Sequence, residues 1–225
     1  MDRYFKKKRP ALDIPLYPIE RIEVSRSTFA GEGYELPLYI GDFVRIALEE
    51  EWYLGAELPE NAEAFLNLWT YHGEIQSNGH ASFAGNTGGD VEAWRRASKL
   101  LGDLGQDEFR NNLDAFIKFE IANGDALNSL DEPPEGWERP YYAFDDRFYE
   151  LDQSGPSLTA VLRDWLRSRP WILEVQCDPR LYSDRGSVIQ AHPLKEARRD
   201  KFMASVRPDL ESSTRLFFER FLKRR

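Results

Sequence analysis

Four side chains in the middle of the chain have the types that a metal-dependent enzyme would use. His72, Glu74, His80 and Asp90 lie within one stretch, and imidazole and carboxylate groups are sufficient to bind zinc or iron. His72, however, falls on the apolar stripe of a predicted helix, where a packing histidine is the commoner arrangement. We therefore predict a protein with no catalytic residues, metal or other cofactor, and keep a small metal-dependent enzyme as an alternative hypothesis.

Other catalytic patterns in the sequence are incomplete. The His-Gly-Glu at residues 72–74 matches the start of a zinc deaminase signature, but that signature also needs a Pro-Cys-x-x-Cys motif and Cys177 is the one cysteine. Cys177 and His192 could form a nucleophilic pair, yet no third group is indicated that would orient them. Gly-Gly-Asp at residues 88–90 could receive an anion, although the carboxylate would repel it. Phosphate loops, nucleophile elbows and dinucleotide fingerprints do not occur.

The acidic charge is concentrated in the middle of the chain. Residues 42–164 contain 25 Asp and Glu against 9 Lys and Arg, a net charge of −16, whereas residues 1–41 sum to +1 and residues 165–225 to +6. Such a field attracts basic surfaces and repels nucleic acid. Duplex DNA carries about one negative charge per 1.7 Å of axis, so sixteen charges correspond to roughly 27 Å of duplex. The pattern predicts a partner that is a basic, nucleic-acid-binding protein, and no direct binding to nucleic acid.

Two groups of carboxylates are candidates for an acidic binding face. The alternative is an ordinary solvated surface, on which carboxylates stabilise helix N-termini and keep the protein in solution. The candidates are Glu49, Glu50, Glu51, Glu57, Glu60 and Glu63 in the first group, and Asp131, Glu132, Glu135, Glu138, Asp145, Asp146 and Glu150 in the second.

The composition indicates a folded protein without disulfides. Of the 225 residues, 41% are apolar and 13% are aromatic, which is enough to bury a core and too much for a disordered acidic tail. A single cysteine excludes an internal disulfide and a zinc site built from several thiolates. No apolar run has the length of a signal segment or a membrane span. We therefore expect a soluble, cytoplasmic protein that does not contact membranes.

The elements that must position these residues are mainly helical. Apolar periodicity predicts helices that begin near Asp42, Asn61, Asp90 and Asp107, and it resumes over residues 145–152 and 156–169. The second helix should end before Asn78-Gly79, and the residues after it, rich in Gly, Ser, Asn and Thr, should form an interhelical loop up to Asp90. This pattern predicts a mainly α fold, with a compact domain of about five or six helices over residues 42–168.

The two ends of the chain are predicted to be extensions of that domain. Residues 1–41 indicate an extended arm, because several prolines exclude a long helix, and a small hairpin could form there. Residues 169–225 could hold a second small hairpin and should end in a basic amphipathic helix that begins near Pro208. Basic residues between 195 and 225 could fold back onto the acidic domain or bind a second copy of it as a homodimer.

The sequence reads EIQSNGHASFAGNTGGD over residues 74–90 and AFDDRFYELD over residues 143–152. These two segments resemble a family of bacterial domains that includes the DNA-mimic proteins of Neisseria. In that family a helix ends in an acidic and an aliphatic residue followed by an Asn-Asn-Gly-Gly turn, and an Asp-Asp-Arg-Phe-Tyr stretch precedes the final helix. Here Ser77-Asn78-Gly79 replaces the doubled turn. The matching positions are Glu74, Ile75, Gly79, His80, Phe83, Asn86, Gly89 and Asp90 in the first segment, and Asp145, Asp146, Arg147, Phe148 and Tyr149 in the second.

The resemblance covers roughly residues 42–168 and has clear implications. It implies an all-α domain without a catalytic activity assigned to the family as a whole and, as in the characterised members, an acidic surface that occupies a DNA-binding protein. An immunity or inhibitor protein that neutralises a basic toxin is a further alternative, because it would use the same charge.

Overall fold

The fold is mainly helical, as the sequence predicts. A computed structural model of the protein describes residues 16–128, 138–176 and 189–204, together with Gly136. Within these residues, no helix is long and apolar enough to cross a bilayer. The elements are β1 (Ile22–Ser25), α1 (Arg26–Ala30), α2 (Glu35–Glu49), a 3-10 turn (Gly55–Glu57), α3 (Ala62–Asn86), α4 (Val91–Asp103), α5 (Asp107–Asn128), α6 (Arg139–Ser154), α7 (Leu158–Arg167), β2 (Ile172–Val175) and α8 (residues 195–204).

The predicted apolar stripes form one core around α3. Helix α3 packs against α2, α4 and α6, while α5 packs against α4 and α6. Phe65 and Leu68 of α3, Leu113 of α5 and Leu162 of α7 are all buried completely. Asp90 caps α4 as expected, because its carboxylate accepts a hydrogen bond from the third backbone N–H of the helix. The 3.6-residue period therefore identifies most of the helices correctly.

Helix α2 begins earlier than the sequence predicts. It starts at Glu35 instead of near Asp42, and it therefore runs across the predicted end of the N-terminal arm. Pro37 does not break it, because a proline in the first helical turn lacks an N–H that would have no partner within the helix. Gly41 lies inside α2, where a Cβ atom would come within 2.6 Å of the Trp69 ring. This glycine permits close packing of α2 on α3.

The predicted interhelical loop after Gly79 is wrong. Helix α3 bends at Gly79 and continues to Asn86, and only the short segment from Thr87 to Asp90 connects it to α4. The glycine and asparagine residues that suggested a loop occupy a second short helical stretch. Propensity was overridden there by tertiary packing, because Phe83 and His80 of this stretch are buried in the core.

The hairpin predicted in the N-terminal arm is wrong, and the second predicted hairpin depends on residues 177–188, which lie outside the described residues. Strands β1 and β2 both occur where β-branched residues suggested extended structure, but they pair with each other in parallel, with Ile22 opposite Ile172. Arg167 at the end of α7 reinforces this junction, because its guanidinium donates to the carbonyls of Phe29 and Gly31. Strand β1, which precedes the helices, and strand β2, which follows α7, are thus held side by side.

Several sequence predictions fall outside the described residues. They concern the acidic residues Asp131, Glu132 and Glu135, the cysteine Cys177, and the basic helix expected from Pro208 onward.

Candidate functional site

The break in α3 is where the two motif segments of the sequence meet. Gly79 has φ of +76° and ψ of 176°, a conformation that is open essentially to glycine alone. The next residue, His80, donates two hydrogen bonds to Oδ1 of Asp145 in α6, from its backbone N–H at 2.8 Å and from Nδ1 at 2.6 Å. On the other side of the break, the Tyr149 hydroxyl donates to the carbonyl of Ile75 at 2.9 Å.

Helix α6 therefore supplies the hydrogen bonds that α3 loses at its break. Asp145 receives the free N–H that starts the second half of α3, and Tyr149 satisfies a carbonyl that ends the first half. Unpaired backbone groups in the interior are costly, and these two side chains remove that cost. We call this arrangement the α3 clamp; it consists of Gly79, His80, Asp145 and Tyr149.

His80 is neutral in the α3 clamp. Its side chain is fully buried, and this burial lowers its pKa below the usual value, although Asp145 acts in the opposite direction. Nδ1 donates to Asp145, so Nε2 is the acceptor for the Tyr71 hydroxyl at 3.2 Å. Burial alone would raise the pKa of Asp145, but the hydrogen bonds from His80 outweigh it and lower that pKa. The carboxylate therefore stays ionised beside a neutral imidazole.

The remaining motif residues support the same junction. Phe148 is buried against Tyr71, and Asn86 donates to the Glu74 carboxylate at 2.8 Å. Arg147 turns toward α5 and pairs with Glu108 at 2.7 Å and with Glu150 at 3.2 Å. Asp146 is exposed, and Gly89 has a positive φ just before the Asp90 cap. Most motif residues thus have a structural role, and Asp146 alone of its segment points outward without an ion pair among the described residues.

The four residues considered for a metal centre do not come together. His72 stacks on Trp69 with a ring separation of 5.4 Å, Glu74 pairs with Asn86, and Asp90 caps α4. Within the part of the chain that the structure describes, no three His, Cys, Asp or Glu side chains gather as metal ligands would. Burial also lowers the pKa of His72, as expected for a histidine packed among rings.

A second buried carboxylate, Glu57, binds the segment after the helical domain. The Arg198 guanidinium meets both oxygens of Glu57, at 2.6 and 2.9 Å, and His192 Nε2 lies 3.1 Å from Oε1. The backbone N–H groups of Tyr17 and Leu54 also donate to this carboxylate. Burial by itself raises the pKa of Glu57, but these hydrogen bonds outweigh it and lower that pKa to about 2.

Glu57 is therefore not a surface residue, and its predicted place on an acidic face is wrong. Its side chain has no exposed area, because α8 and the α2–α3 connection close over it. Of the basic residues that were expected to fold back onto the acidic domain, Lys195 and Arg198 contact Glu51 and Glu57, and those after residue 204 lie outside the described residues. No local sequence signal pairs Glu57 with Arg198, which lies 141 positions away.

We call residues 189–204 the strap, because further contacts fasten it to residues 51–57. Lys195 pairs with Glu51 at 3.0 Å, and Phe202 packs edge-on against Trp52 at 5.6 Å between ring centroids. Arg198 also donates to the Trp52 carbonyl, and the Tyr53 hydroxyl donates to the carbonyl of Gln190. Trp52 has a φ of +64°, which few bulky residues adopt. The strap and this connection thus form one interlocked unit.

Within each of the two predicted acidic groups, some carboxylates form contacts inside the molecule and others remain exposed. Glu51, Glu57 and Asp145 are engaged within the molecule, and Glu63 pairs with Arg96 at 3.4 Å. Arg45 lies near Glu49 and Glu50, which nevertheless stay well exposed. The candidates that remain exposed are Glu49, Glu50, Glu60, Glu138, Asp146 and Glu150.

Comparison with known proteins places this helical region in a family. No curated protein and no solved structure matches the chain significantly. The family model described as DMP19-like protein matches residues 56–169, which include both halves of the α3 clamp and exclude the strap. This match spans just over half of the 225 residues. The chain therefore belongs to the DMP19-like protein family, a family of the DNA-mimic type.

Proposed function

We propose that the DMP19-like domain binds a basic DNA-binding protein through its carboxylates and performs no catalysis. Residues 56–169 contain 21 Asp and Glu against 10 Lys and Arg. A surface with this excess presents to a basic protein the charge that a DNA backbone would present. Family membership supports the same kind of partner.

The observation that carries this proposal is where the carboxylates lie. Seventeen of the 21 acidic side chains in residues 56–169 are described, and all but Glu57 and Glu120 are at least partly exposed. Many have neighbouring arginines or lysines, but ion pairs at an exposed surface are weak and exchange readily. A basic partner can therefore compete for these carboxylates, and electrostatic attraction would speed its approach.

Two exposed sets are suited to the contact. Glu49, Glu50 and Glu60 lie around the α2–α3 connection, whereas Glu138 lies at the N-cap position of α6 and Asp146 and Glu150 lie within it. In the second set, Asp146 and Glu150 are four residues apart and are therefore neighbours on one face of α6. Tyr142, which is 51% exposed, lies among them and provides an aromatic side chain of the kind that is enriched at protein interfaces.

The test is capture of partners from lysate, followed by competition with duplex DNA. The immobilised full chain should retain a DNA-binding protein at low salt and release it when duplex DNA or high salt is added, because mimic and DNA occupy one site. Retention that duplex DNA does not disturb would contradict DNA mimicry and would point to an inhibitor of another basic protein.

Charge-reversed variants locate the contact. Replacing Glu138, Asp146 and Glu150 by Lys should reduce retention strongly, and the same change at Glu49, Glu50 and Glu60 tests the other set. The matched control is the reversal of Glu20, Glu23 and Glu174, three exposed carboxylates outside residues 56–169 that change the net charge equally. Equal loss in all three variants would mean that overall charge, and not a face of the domain, determines binding.

A further inference from the structure

We infer that residues 51–57 form a receptor groove for a basic helix of the partner, and that the strap occupies this groove in cis. The groove is made by Glu51, Trp52, Tyr53 and Glu57. The inference rests on the proposed function, because it names residues 51–57 as the place where the basic partner binds. It adds that the strap regulates this binding by competing for the same residues. It also concerns a surface that the charge pattern alone would not select, since Glu57 is buried beneath the strap.

The contact between Arg198 and Glu57 has the geometry of phosphate recognition. Two guanidinium nitrogens meet two carboxylate oxygens at 2.6 and 2.9 Å, a paired arrangement that arginine also forms with phosphate groups. Glu57 therefore holds an arginine as a DNA phosphate would hold it. A DNA-binding protein has arginines that are positioned for such pairs.

The contacts of the strap are those of a basic helix bound in a groove. Lys195, Arg198 and Phe202 follow one another at i, i+3 and i+7, the spacing by which one helical face inserts its anchors. Each meets a different part of the groove, namely Glu51, Glu57 and the Trp52 ring. Lys201 and Met203 flank these anchors and are exposed. The groove thus selects a cation, a second cation and an aromatic ring along one helix.

The strap lies outside the family domain, whereas its main anchor point lies inside. The family model ends at residue 169, and Glu57 is within its first residues. Because a buried carboxylate without a cation is strongly disfavoured, the groove does not stay open. The strap leaves only as another helix brings an arginine to Glu57. The strap is accordingly a competitor of the partner and lowers its apparent affinity.

The experiment uses the full chain and a fluorescent synthetic peptide of residues 189–204. The double variant Lys195→Ala/Phe202→Ala weakens the strap in cis but leaves Glu57 and the rest of the groove unchanged. This variant should bind the peptide about tenfold tighter than the wild type, or more, because a buried ring and an ion pair are lost from the competitor. Adding Glu57→Gln should remove this binding, as should Arg198→Ala in the peptide. The control Lys201→Ala/Met203→Ala should behave as the wild type.

Several outcomes would overturn the inference. We call Lys195→Ala/Phe202→Ala the strap variant. If its circular dichroism spectrum is that of the wild type and it binds no peptide, the groove is not a receptor. If the variant loses its helical signal, the strap is part of the folded core and not an exchangeable competitor.

Capture by the strap variant separates this inference from the proposed function. The immobilised Lys195→Ala/Phe202→Ala variant should retain more of the DNA-binding protein that duplex DNA can displace than the wild type does. Adding Glu57→Gln should reduce this amount again. If such retention occurs but is equal in wild type and strap variant, the proposed function holds and the groove is wrong. If the peptide binds but nothing is retained in competition with DNA, the groove binds basic helices and the proposed function is wrong.

Discussion

The α3 clamp and the contact between Arg198 of the strap and Glu57 each hold a carboxylate that is at least partly buried, but they compensate its charge differently. Asp145 faces a neutral histidine and a backbone N–H, and its side chain keeps 18% of its surface exposed. Glu57 faces a charged guanidinium and has no exposed surface. Hydrogen bonds suffice where some solvent remains, whereas a fully enclosed carboxylate requires a counter-charge.

The two sites also differ in whether the family domain alone supplies the residues that they need. The α3 clamp is built from two helices inside residues 56–169, so the family domain contains everything it needs. Glu57 belongs to the same domain but is satisfied by Arg198 from outside it. The family domain by itself thus lacks a counter-charge for Glu57, and a basic segment from outside the domain must supply it.

The largest expected effect comes from removing that counter-charge. Arg198→Met should lower the free energy of unfolding by about 3–5 kcal/mol, because Glu57 stays buried without its partner. Urea unfolding at pH 7 measures this change. Arg199→Met is the control, since Arg199 is half-exposed and pairs with Glu196 at the surface, and its cost should stay below about 0.5 kcal/mol. Equal effects in both variants would show that Glu57 does not depend on Arg198.

The pH dependence of stability should identify Glu57 as the group concerned. Its pKa of about 2 lies below the ordinary value of 4.5, so its stabilisation is complete above about pH 5 and is lost as the pH falls toward 2. The difference in unfolding free energy between wild type and Glu57→Gln should therefore shrink by about 3 kcal/mol over this range. A difference that stays constant from pH 7 to pH 2 would contradict the low pKa.

A smaller change in stability should distinguish Gly79, at the break in α3, from a glycine elsewhere in the same helix. Gly79→Ala should cost about 2 kcal/mol, because the backbone conformation is strained for alanine and its Cβ would lie 2.9 Å from the Asp145 carboxylate. Gly85→Ala is the matched control, since nothing lies within 4 Å of its added Cβ and alanine favours a helix. We expect Gly85→Ala to stabilise by about 0.5–1 kcal/mol in thermal or urea unfolding. Similar values for the two glycines would contradict a conformational requirement at the break.

Local patterns were sufficient to predict most of the helices. Asp90 is identified as a cap by its position before an apolar stripe, and most residues of the stripes of α4, α5 and α7 are buried, although Ile121 at the end of the α5 stripe is exposed. The family resemblance assigns His80 and Asp145 to two separate motif segments. Their hydrogen bond could not be derived, because nothing in the spacing of 65 residues indicates which side chains meet.

The errors arose where tertiary contacts override local preference. Glycines after Gly79 suggested a loop, yet the burial of Phe83 and the α6 hydrogen bonds hold that segment in a helix. Glu57 looked like one more surface carboxylate, because a charged residue in a polar turn is normally solvated. Its burial depends on a segment more than one hundred positions away, which a single sequence does not reveal.

The parallel pairing of β1 with β2 has a consequence for synthesis on the ribosome. Ile22 leaves the ribosome long before its partner Ile172, and about 150 intervening residues take roughly 8–30 s to translate at about 5–20 residues per second. During that interval the nascent β1 strand has unpaired edges that can pair with other chains. Chaperone cover early in translation would therefore raise the yield of folded protein.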